Sequence, residues 1–339
     1  MKKLSFLILI TGLAFSSKAQ ISFGPSIAGT QNDINYLGSA YLAPFSEAMA
    51  FSLTQGWYNT AKVKRTGRFE IGFTPSVTIV PNEFRTFTID PSKLEELELV
   101  NPNDNVAPTV FGEDAPGPEL QYTDPTLRAF SGGRFNMPAG LGYAIAPNMT
   151  IHAGVGLPLD FELSGHYLPS TGIPYLEGSE IGLWGLGLKH NLKQYIPGGS
   201  AIPFSIAAFA SYSQFNLGQD LEPDANNDKR IDLNADAFMT RLLISKKLLF
   251  LTFYGGVGYN YLNSSFKVAG TYEYLNPLQP LNPEQSISDP IDLSSTNGSG
   301  WAGNLGLRVK FLVFGYVSAD YTFGTFSAVN LNLGFSWDI

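Results

Sequence analysis

Val329-Asn330-Leu331-Asn332-Leu333-Gly334-Phe335-Ser336-Trp337-Asp338-Ile339 are the last residues of the sequence, and they alternate strictly: odd positions are apolar and even positions are polar or glycine. A period of two predicts one β-strand with an apolar face and a polar face. The apolar face is continuous and carries two aromatic residues close to its end. These properties are typical of the closing strand of a membrane-spanning β-barrel, and they predict that fold for the chain.

The beginning of the chain predicts export. Met1-Lys2-Lys3 precedes an apolar run over residues 4–15, and Ser17-Lys18-Ala19 places small residues where a signal peptidase cleaves. We interpret residues 1–19 as a signal peptide, because the apolar run is too short to span a bilayer as a helix. The chain contains no cysteine, which excludes a lipid-anchored cysteine, disulfides and thiolate chemistry.

The charge balance argues against a nucleic-acid partner. Removing the three lysines of the signal peptide from 21 basic residues leaves 18 against 29 acidic residues, a net charge of −11. Charged residues are only 15 % of the chain, whereas it contains 35 glycines, 25 phenylalanines and 16 tyrosines. Low charge with abundant glycine and aromatic residues favours a membrane barrel over a soluble periplasmic enzyme.

A short helix is predicted ahead of the barrel, within residues 20–48. Apolar residues recur there at helical spacing, with Asp33 as a possible N-cap and Pro44 as a kink or a break: Ile34, Leu37, Tyr41, Leu42, Phe45 and Ala48. Two interpretations stay open for this segment. It plugs or gates the lumen, or it packs under the floor of the barrel.

Alternating segments follow over residues 49–339, which we assign to the barrel. Two precede Pro81, near 49–57 and 69–79, and ten follow Ala139. Two more could lie within the irregular loop 81–138, near 84–89 and 120–130. We therefore predict an all-β, antiparallel transmembrane barrel of about 12–14 strands with a short N-terminal helical segment.

The connections have the asymmetry expected of such a barrel. If the last strand ends in the periplasm, the tight turns are periplasmic, and the long loops 220–230 and 263–300 are extracellular. A soluble β-sandwich also alternates, but its outward positions should carry many charged residues. Here one face is apolar and the other is mostly glycine, serine, threonine and asparagine.

Four segments carry a resemblance to a known family: Gly56-Trp57-Tyr58-Asn59-Thr60-Ala61-Lys62, Leu183-Trp184-Gly185-Leu186-Gly187-Leu188-Lys189-His190, Ser245-Lys246-Lys247 and Thr252-Phe253-Tyr254-Gly255-Gly256-Val257-Gly258-Tyr259-Asn260. In these the chain resembles an uncharacterised outer-membrane β-barrel family of the Bacteroidota. The resemblance implies fold and location, and no activity. More distantly, a helical segment ahead of a barrel is similar in architecture to the outer-membrane long-chain fatty-acid transporters.

The polar faces of the predicted strands hold the candidate functional residues. By alternation, the side chains predicted to line the lumen are Glu70, His152, Glu162, His166, Lys189, Asp232, Asp236, Arg308, Lys310 and Asp320. Arg308 and Lys310 precede the strand of Asp320, which predicts a cross-strand ion pair. Such charges could set selectivity in a pore, but knitting the interior together is the favoured role.

Five aromatic residues are predicted to form girdles at the two membrane interfaces: Trp57, Trp184, Tyr259, Tyr261 and Trp337. The alternative is that some of them only pack between strands or loops.

Two patterns weakly indicate other chemistry. Ser164 and His166 share one strand face, but residues two apart on a strand are about 7 Å apart, too far for direct proton transfer. Asp224-Ala225-Asn226-Asn227-Asp228 is similar to the opening of a calcium loop, but Lys229 and Ala235 stand where glycine and glutamate are needed. A solvated loop is therefore favoured over a weak cation site.

The sequence thus predicts no enzymatic activity, no catalytic residue, no cofactor and no metal. Its first functional hypothesis is an outer-membrane barrel acting as a passive channel or transporter for small or hydrophobic solutes. The alternative is a structural or surface-interaction barrel with no transport role. The expected partners are outer-membrane lipid, the barrel-assembly machinery during insertion and, in the first case, the solute.

Overall fold

The structure, a computed structural model, describes residues 29–129, 133–172, 178–221, 229–275, 284–311 and 314–337. Three predictions concern residues outside these ranges: the signal peptide 1–19, the loop 224–228 and the last two residues of the terminal strand. Among the described residues, no helix has the length and hydropathy to cross a membrane.

Helices and strands follow one another in a long series. In chain order they are α1 (Gln31–Ser52), β1 (Phe69–Ile79), β2 (Thr86–Thr88), β3 (Leu97–Leu99), β4 (Val106–Pro108), β5 (Glu119–Tyr122), α2 (Pro125–Ala129), β6 (Arg134–Asn136), β7 (Ile145–Leu157), β8 (Phe161–Thr171), β9 (Ser179–Asn191), β10 (Ser205–Asp220), β11 (Arg230–Leu248), β12 (Leu251–Ala269), β13 (Thr271–Leu275), β14 (Glu284–Ser288), β15 (Ile291–Ser295), β16 (Gly300–Phe311), β17 (Gly315–Phe323) and β18 (Ser327–Ser336).

Ten of these strands, β1, β7 to β12 and β16 to β18, form one closed antiparallel barrel. The first and last barrel strands pair with each other, so that Glu70 lies opposite Ser336 and Ile79 opposite Ser327. Closure gives the sheet no free edge, which a sheet needs in lipid because unpaired backbone groups are costly there.

The outer face of the wall is an apolar belt. Outward side chains on every side of the barrel are exposed, among them Ile71, Ile151, Leu163, Leu186, Leu242, Val257, Leu305 and Leu331. Inward positions alternate with these and are buried. An apolar belt around a closed barrel is the surface that lipid covers.

The prediction of an antiparallel barrel with an N-terminal helix is confirmed, but the barrel has ten strands where 12–14 were predicted. The residues near 49–57 complete α1 and a turn, so they are not a strand. Pro147 and Asn148, residue types that favour a turn, lie inside the single strand β7, so residues 139–157 contain one wall strand where the alternation predicts two. The two strands predicted within loop 81–138, near 84–89 and 120–130, overlap β2 and β5, which are short strands outside the barrel wall.

The helix differs from its prediction at both ends. Thr30 is the N-cap, and Asp33 is the third residue of a capping box with it. Pro44 lies inside α1 without ending it. The helix continues to Ser52, so residues 49–68, assigned to the barrel, form the end of α1 and its connection to β1.

Residues 31–66, which we call the plug, run down the inside of the barrel. At the end with the long loops, the Gln31 side chain donates to the carbonyl of Ser288 at 2.9 Å. One-third of the way down, the hydroxyls of Ser46 and Ser264 are 3.2 Å apart. The start of α1 therefore lies at the long-loop end of the barrel.

The plug continues to the end with the short turns. The Thr60 hydroxyl lies 3.1 Å from that of Ser245, near the last residue of β11. Thr66 then bridges Gly156 near the end of β7, and the chain enters the wall as β1. The plug thus passes through the whole height of the lumen before the wall begins.

Loop 81–138 folds over the long-loop end as two small sheets, β2–β4 and β3–β5–β6. One of their links to the plug is Asp33, which is fully buried. Its carboxylate accepts the backbone N–H groups of Glu95 at 2.7 Å and Glu96 at 3.0 Å. The side chains of Asn32 and Thr30 donate to the Glu95 carboxylate and hold its pKa below the ordinary value.

Replacing Asp33 with alanine is expected to loosen this loop from the plug. Three backbone N–H groups would lose their acceptor, at a cost of about 1–3 kcal/mol for each group that stays buried. Limited proteolysis should show faster cleavage within residues 81–138 in D33A. The exposed Asp104→Ala is the matched control, and equal cleavage of both variants would contradict the role of Asp33.

Candidate functional site in the barrel lumen

The short-turn half of the lumen holds a buried ionic network built on two carboxylates. Glu162 on β8 lies between two lysines: Lys64 Nζ is 2.6 Å and Lys189 Nζ is 3.0 Å from its Oε1. Its Oε2 accepts the backbone N–H of Lys64 at 3.0 Å. Since Lys64 belongs to the plug and Lys189 to β9, Glu162 fastens the plug to the wall.

Glu70 on β1 is the second carboxylate. Arg308 on β16 donates to its Oε2 at 3.0 Å, and Asn59 of the plug donates to its Oε1 at 3.0 Å. Arg308 also donates to the Asn59 side chain. Lys64 Nζ is 3.8 Å from Glu70, so the two carboxylates share this lysine. Buried charges need such partners because each costs several kcal/mol to desolvate.

Two histidines complete the network. His152 Nε2 lies 3.5 Å from Glu70 and 3.0 Å from the Tyr316 hydroxyl, while its Nδ1 lies 3.2 Å from Thr74. His166 stacks on Trp57 of the plug, with ring centroids 3.8 Å apart and planes 12° apart. The plug is therefore held by an aromatic contact as well as by ion pairs.

The middle of the lumen holds a second polar group. Asp320 accepts hydrogen bonds from Tyr254 at 2.9 Å and Asn330 at 2.8 Å. Arg241 donates to Asn260 at 2.6 Å. Between them is a cavity of about 10 Å³, which is room for about one water molecule.

The long-loop half of the lumen is mainly apolar. Here α1 packs through Ile34, Leu42 and Phe51 on inward side chains of the wall. The wall residues in this cluster include Leu183, Phe215, Leu233, Ala237, Leu262 and Phe266. The lumen therefore changes along its length from an apolar half to a charged half.

Eight of the ten predicted lumen residues have inward positions in the wall. Glu70, His152, Glu162, His166, Lys189 and Arg308 come together in the network, Asp320 lies above it, and Lys310 is half-buried near the short turns. The predicted ion pair of Arg308 or Lys310 with Asp320 is not among the ion pairs of the described residues. Arg308 binds Glu70 instead.

The prediction that Asp232 and Asp236 line the lumen is wrong, because both lie on the outer face of β11. Asp236 accepts a hydrogen bond from the exposed Tyr212 at 2.9 Å, and Asp232 pairs with Arg230 at 2.7 Å. In this part of β11 the inward face is apolar because α1 packs on it, and the outer face is polar. In the short-turn half of the wall the inward face is mainly polar and the outward face is apolar, and in this part of β11 the two are exchanged.

Among the aromatic residues, the prediction that Trp57 belongs to an interfacial girdle is wrong. It is buried in the lumen, where its indole N–H donates to Leu53 at 2.9 Å, and it forms no part of a girdle. Trp184, Tyr259, Tyr261 and Trp337 are exposed on the outer face. Trp337 stacks on Phe69 at the short-turn end, with centroids 5.0 Å apart.

Several residues of the network and of the second polar group were not predicted by the sequence analysis: Asn59, Lys64, Arg241, Tyr254 and Tyr316. Lys64 lies in the short polar stretch Lys62-Val63-Lys64, which predicts a turn, and Arg241 lies on the face of β11 that alternation predicts to be outward. The sequence feature that could have predicted this part of the network is Lys64 itself. It is close in sequence to several aromatic residues, and a lysine that is buried needs a carboxylate partner.

The Ser164–His166 pair has no catalytic geometry. The Ser164 hydroxyl donates to the carbonyl of Gly187 at 3.3 Å, and the indole of Trp57 covers the His166 ring. Among the described residues, no three histidine or acidic side chains are arranged to hold a metal ion.

A closed barrel with an apolar belt, an N-terminal helix and a filled lumen defines the class: a membrane-spanning β-barrel with an internal plug. Within this class, the chain belongs to a family of unknown function, DUF6588, whose model matches residues 1–337. The resemblance to an uncharacterised barrel family agrees with this, and the bacterial phylum stays a prediction. A search of curated proteins found no match.

Comparison with solved structures found several barrels at low identity. The translocator domain of the autotransporter NalP from Neisseria meningitidis is 10% identical, with a TM-score of 0.35, over 89% of this chain and 100% of that one. Ail, the attachment invasion locus protein of Yersinia pestis, is 10% identical, with a TM-score of 0.27, over 80% and 98%. A Pseudomonas aeruginosa FadL homologue is 10% identical, with a TM-score of 0.25, over 94% and 97%.

Proposed function

We propose that the protein is a bacterial outer-membrane transporter for small, mainly apolar solutes, closed in this state by its own plug. The observation that carries the proposal is that the wall leaves a lumen through which the plug runs from one end to the other. A methyl group on Gly187 would come within 2.9 Å of the Trp57 ring, and one on Gly256 within 2.8 Å of the Tyr58 hydroxyl. Wall side chains alone can fill a barrel of about eight strands, and each added strand widens the lumen, so ten strands leave room for the plug.

The contacts between plug and wall support movement of the plug. No disulfide holds it, since the chain has no cysteine. Among the described residues, its ion pairs lie in the charged half of the lumen. In the other half α1 packs mainly through apolar side chains, with a few hydrogen bonds such as that between Ser46 and Ser264. Apolar contacts are non-directional, so a small apolar solute could replace them when α1 shifts. This favours apolar solutes at the long-loop entrance.

A reversible lock tests the proposal. Ser46 on α1 and Ser264 on β12 face each other with hydroxyls 3.2 Å apart, so cysteines at these positions are placed to form a disulfide between plug and wall. We expect rare openings of the reduced S46C/S264C protein in planar bilayers, none after oxidation, and recovery with reductant. The two single-cysteine variants are matched controls and should not respond to oxidation.

The solute is examined in liposomes that contain the same proteins. Swelling in a series of small solutes of increasing apolar character should be fastest for the apolar members and should stop in the oxidised lock. The proposal of transport is wrong if neither openings nor swelling is seen with the reduced protein, the controls or a variant with a weakened plug.

The alternative is a surface-interaction barrel, which the folded loop 81–138 favours. Its two small sheets would present a fixed surface at the long-loop end. Exchange of this loop should then abolish the cellular role while bilayer conductance stays unchanged. Neither proposal includes catalysis, because Ser164 and His166 are both engaged in packing.

A further inference from the structure

The short-turn end of the barrel carries an exposed basic surface. It combines residues at the end of the plug with residues at the end of β11 and in the connection between β9 and β10. Arg65, Lys246 and Lys247 are exposed there, and Arg68 and Lys193 are half-buried. Among the residues that the structure describes, Asp160 is the single exposed acidic residue at this end.

Exposed apolar side chains lie among these cations. Leu249 and Phe250 at the tip of the β11–β12 turn are 86% and 58% exposed, and Tyr195 in the neighbouring connection is 68% exposed. The Lys246 ammonium lies 5.9 Å from the ring of Phe204. The apolar belt therefore continues to the turn tips, which places Lys246 and Lys247 at the depth of lipid headgroups, where long side chains extend their charge toward the phosphates.

The opposite end has the opposite charge. Acidic side chains dominate the described parts of loop 81–138, including Glu83, Asp90, Glu95, Glu96, Glu98, Asp104, Glu113, Asp114 and Glu119. The basic surface is thus specific to one face of the membrane. Uniform decoration for solubility would not produce such a difference.

We propose that this surface, Arg65, Arg68, Lys193, Lys246 and Lys247 with the turn tips Leu249 and Phe250, binds the headgroups of anionic phospholipids in the leaflet at the short-turn end. Cations at a membrane surface attract anionic headgroups, and the attraction adds up over several residues. Exposed apolar tips anchor the same turns among the acyl chains. This inference requires only that the barrel stands in a bilayer, and it does not depend on transport.

Native mass spectrometry of the full-length protein in detergent tests the proposal with two probes, phosphatidylglycerol and phosphatidylethanolamine. At equal lipid concentrations we expect bound phosphatidylglycerol to exceed phosphatidylethanolamine about tenfold or more. The exposed triple variant R65Q/K246Q/K247Q should lose this preference. The matched triple variant at the opposite end, K93Q/R128Q/R134Q, should keep it.

Folding of each variant is checked by heat-modifiable migration in gels. Equal binding of the two lipids to the unchanged protein would overturn the proposal, and so would an unchanged preference in R65Q/K246Q/K247Q. Displacement of the lipid by inorganic phosphate at similar concentration would show a simple anion site instead. Binding of anionic peptidoglycan fragments through the same residues, without a lipid preference, would assign the surface to the cell wall.

Discussion

Glu162→Gln should destabilise the barrel by about 3–5 kcal/mol, the cost of removing one partner of a buried ion pair. Glutamine keeps the shape of the side chain but removes the charge that two lysines share, 2.6 Å and 3.0 Å away. Both lysines would stay buried beside a neutral amide. The free energy of unfolding, from urea titration of the barrel refolded in vesicles, measures this effect.

Two further variants identify the cause. The exposed Glu180→Gln on β9 makes the same chemical change and should alter the free energy of unfolding by about 0.5 kcal/mol or less. In E162Q/K189Q one of the two stranded cations is removed, so part of the loss should be recovered. A cost for E162Q as small as that of E180Q would show that the network contributes nothing to holding the plug.

Trp57→Ala should cost about 3–5 kcal/mol, as other large buried aromatic residues do, and should open the lumen. The indole fills the space left by Gly185 and Gly187, and it stacks on His166 at 3.8 Å. Its removal leaves a gap between plug and wall at the level of the charged network. Urea titration measures the stability, and bilayer conductance should rise well above that of the unchanged protein.

Trp184→Ala is the control, because Trp184 is on the outer face of the barrel. It should cost less and leave conductance unchanged. Combining W57A with S46C/S264C distinguishes two sources of conductance. Oxidation should abolish conductance that arises from movement of the plug, and it should not change conductance through a permanent gap beside the plug. A W57A protein with unchanged stability and conductance would contradict the placement of Trp57 as the centre of the plug.

The barrel could be predicted from the sequence because lipid imposes a period of two on its wall. The terminal strand shows this best: Leu331 and Leu333 face outward, and Asn330 and Asn332 face inward. The rule fails where lipid is absent. In β11 the inward Leu233 packs on α1, so the apolar face is the inner one, and Asp232 and Asp236 were assigned to the wrong side.

The site was harder to predict than the wall. Wall residues such as Glu70 and Glu162 follow from alternation, but their partners Asn59 and Lys64 come from a segment without periodic pattern. Only the path of the plug brings Lys64 to Glu162, 98 residues later in the chain. Pro147 also misled, since proline usually ends a strand, whereas β7 continues through it opposite Val77.

Counted over the described residues, the plug gives the chain an odd number of passages across the membrane. Ten wall strands alone would return the chain to the side where it started, but the descending plug adds an eleventh. Thr30 and Trp337 therefore lie on opposite faces of the bilayer. During insertion, the plug must be inside before β1 and β18 zip together, or it must be drawn through afterwards. In the first case, ring closure and the passage of α1 to the far side are one event in assembly, and in the second case they are two.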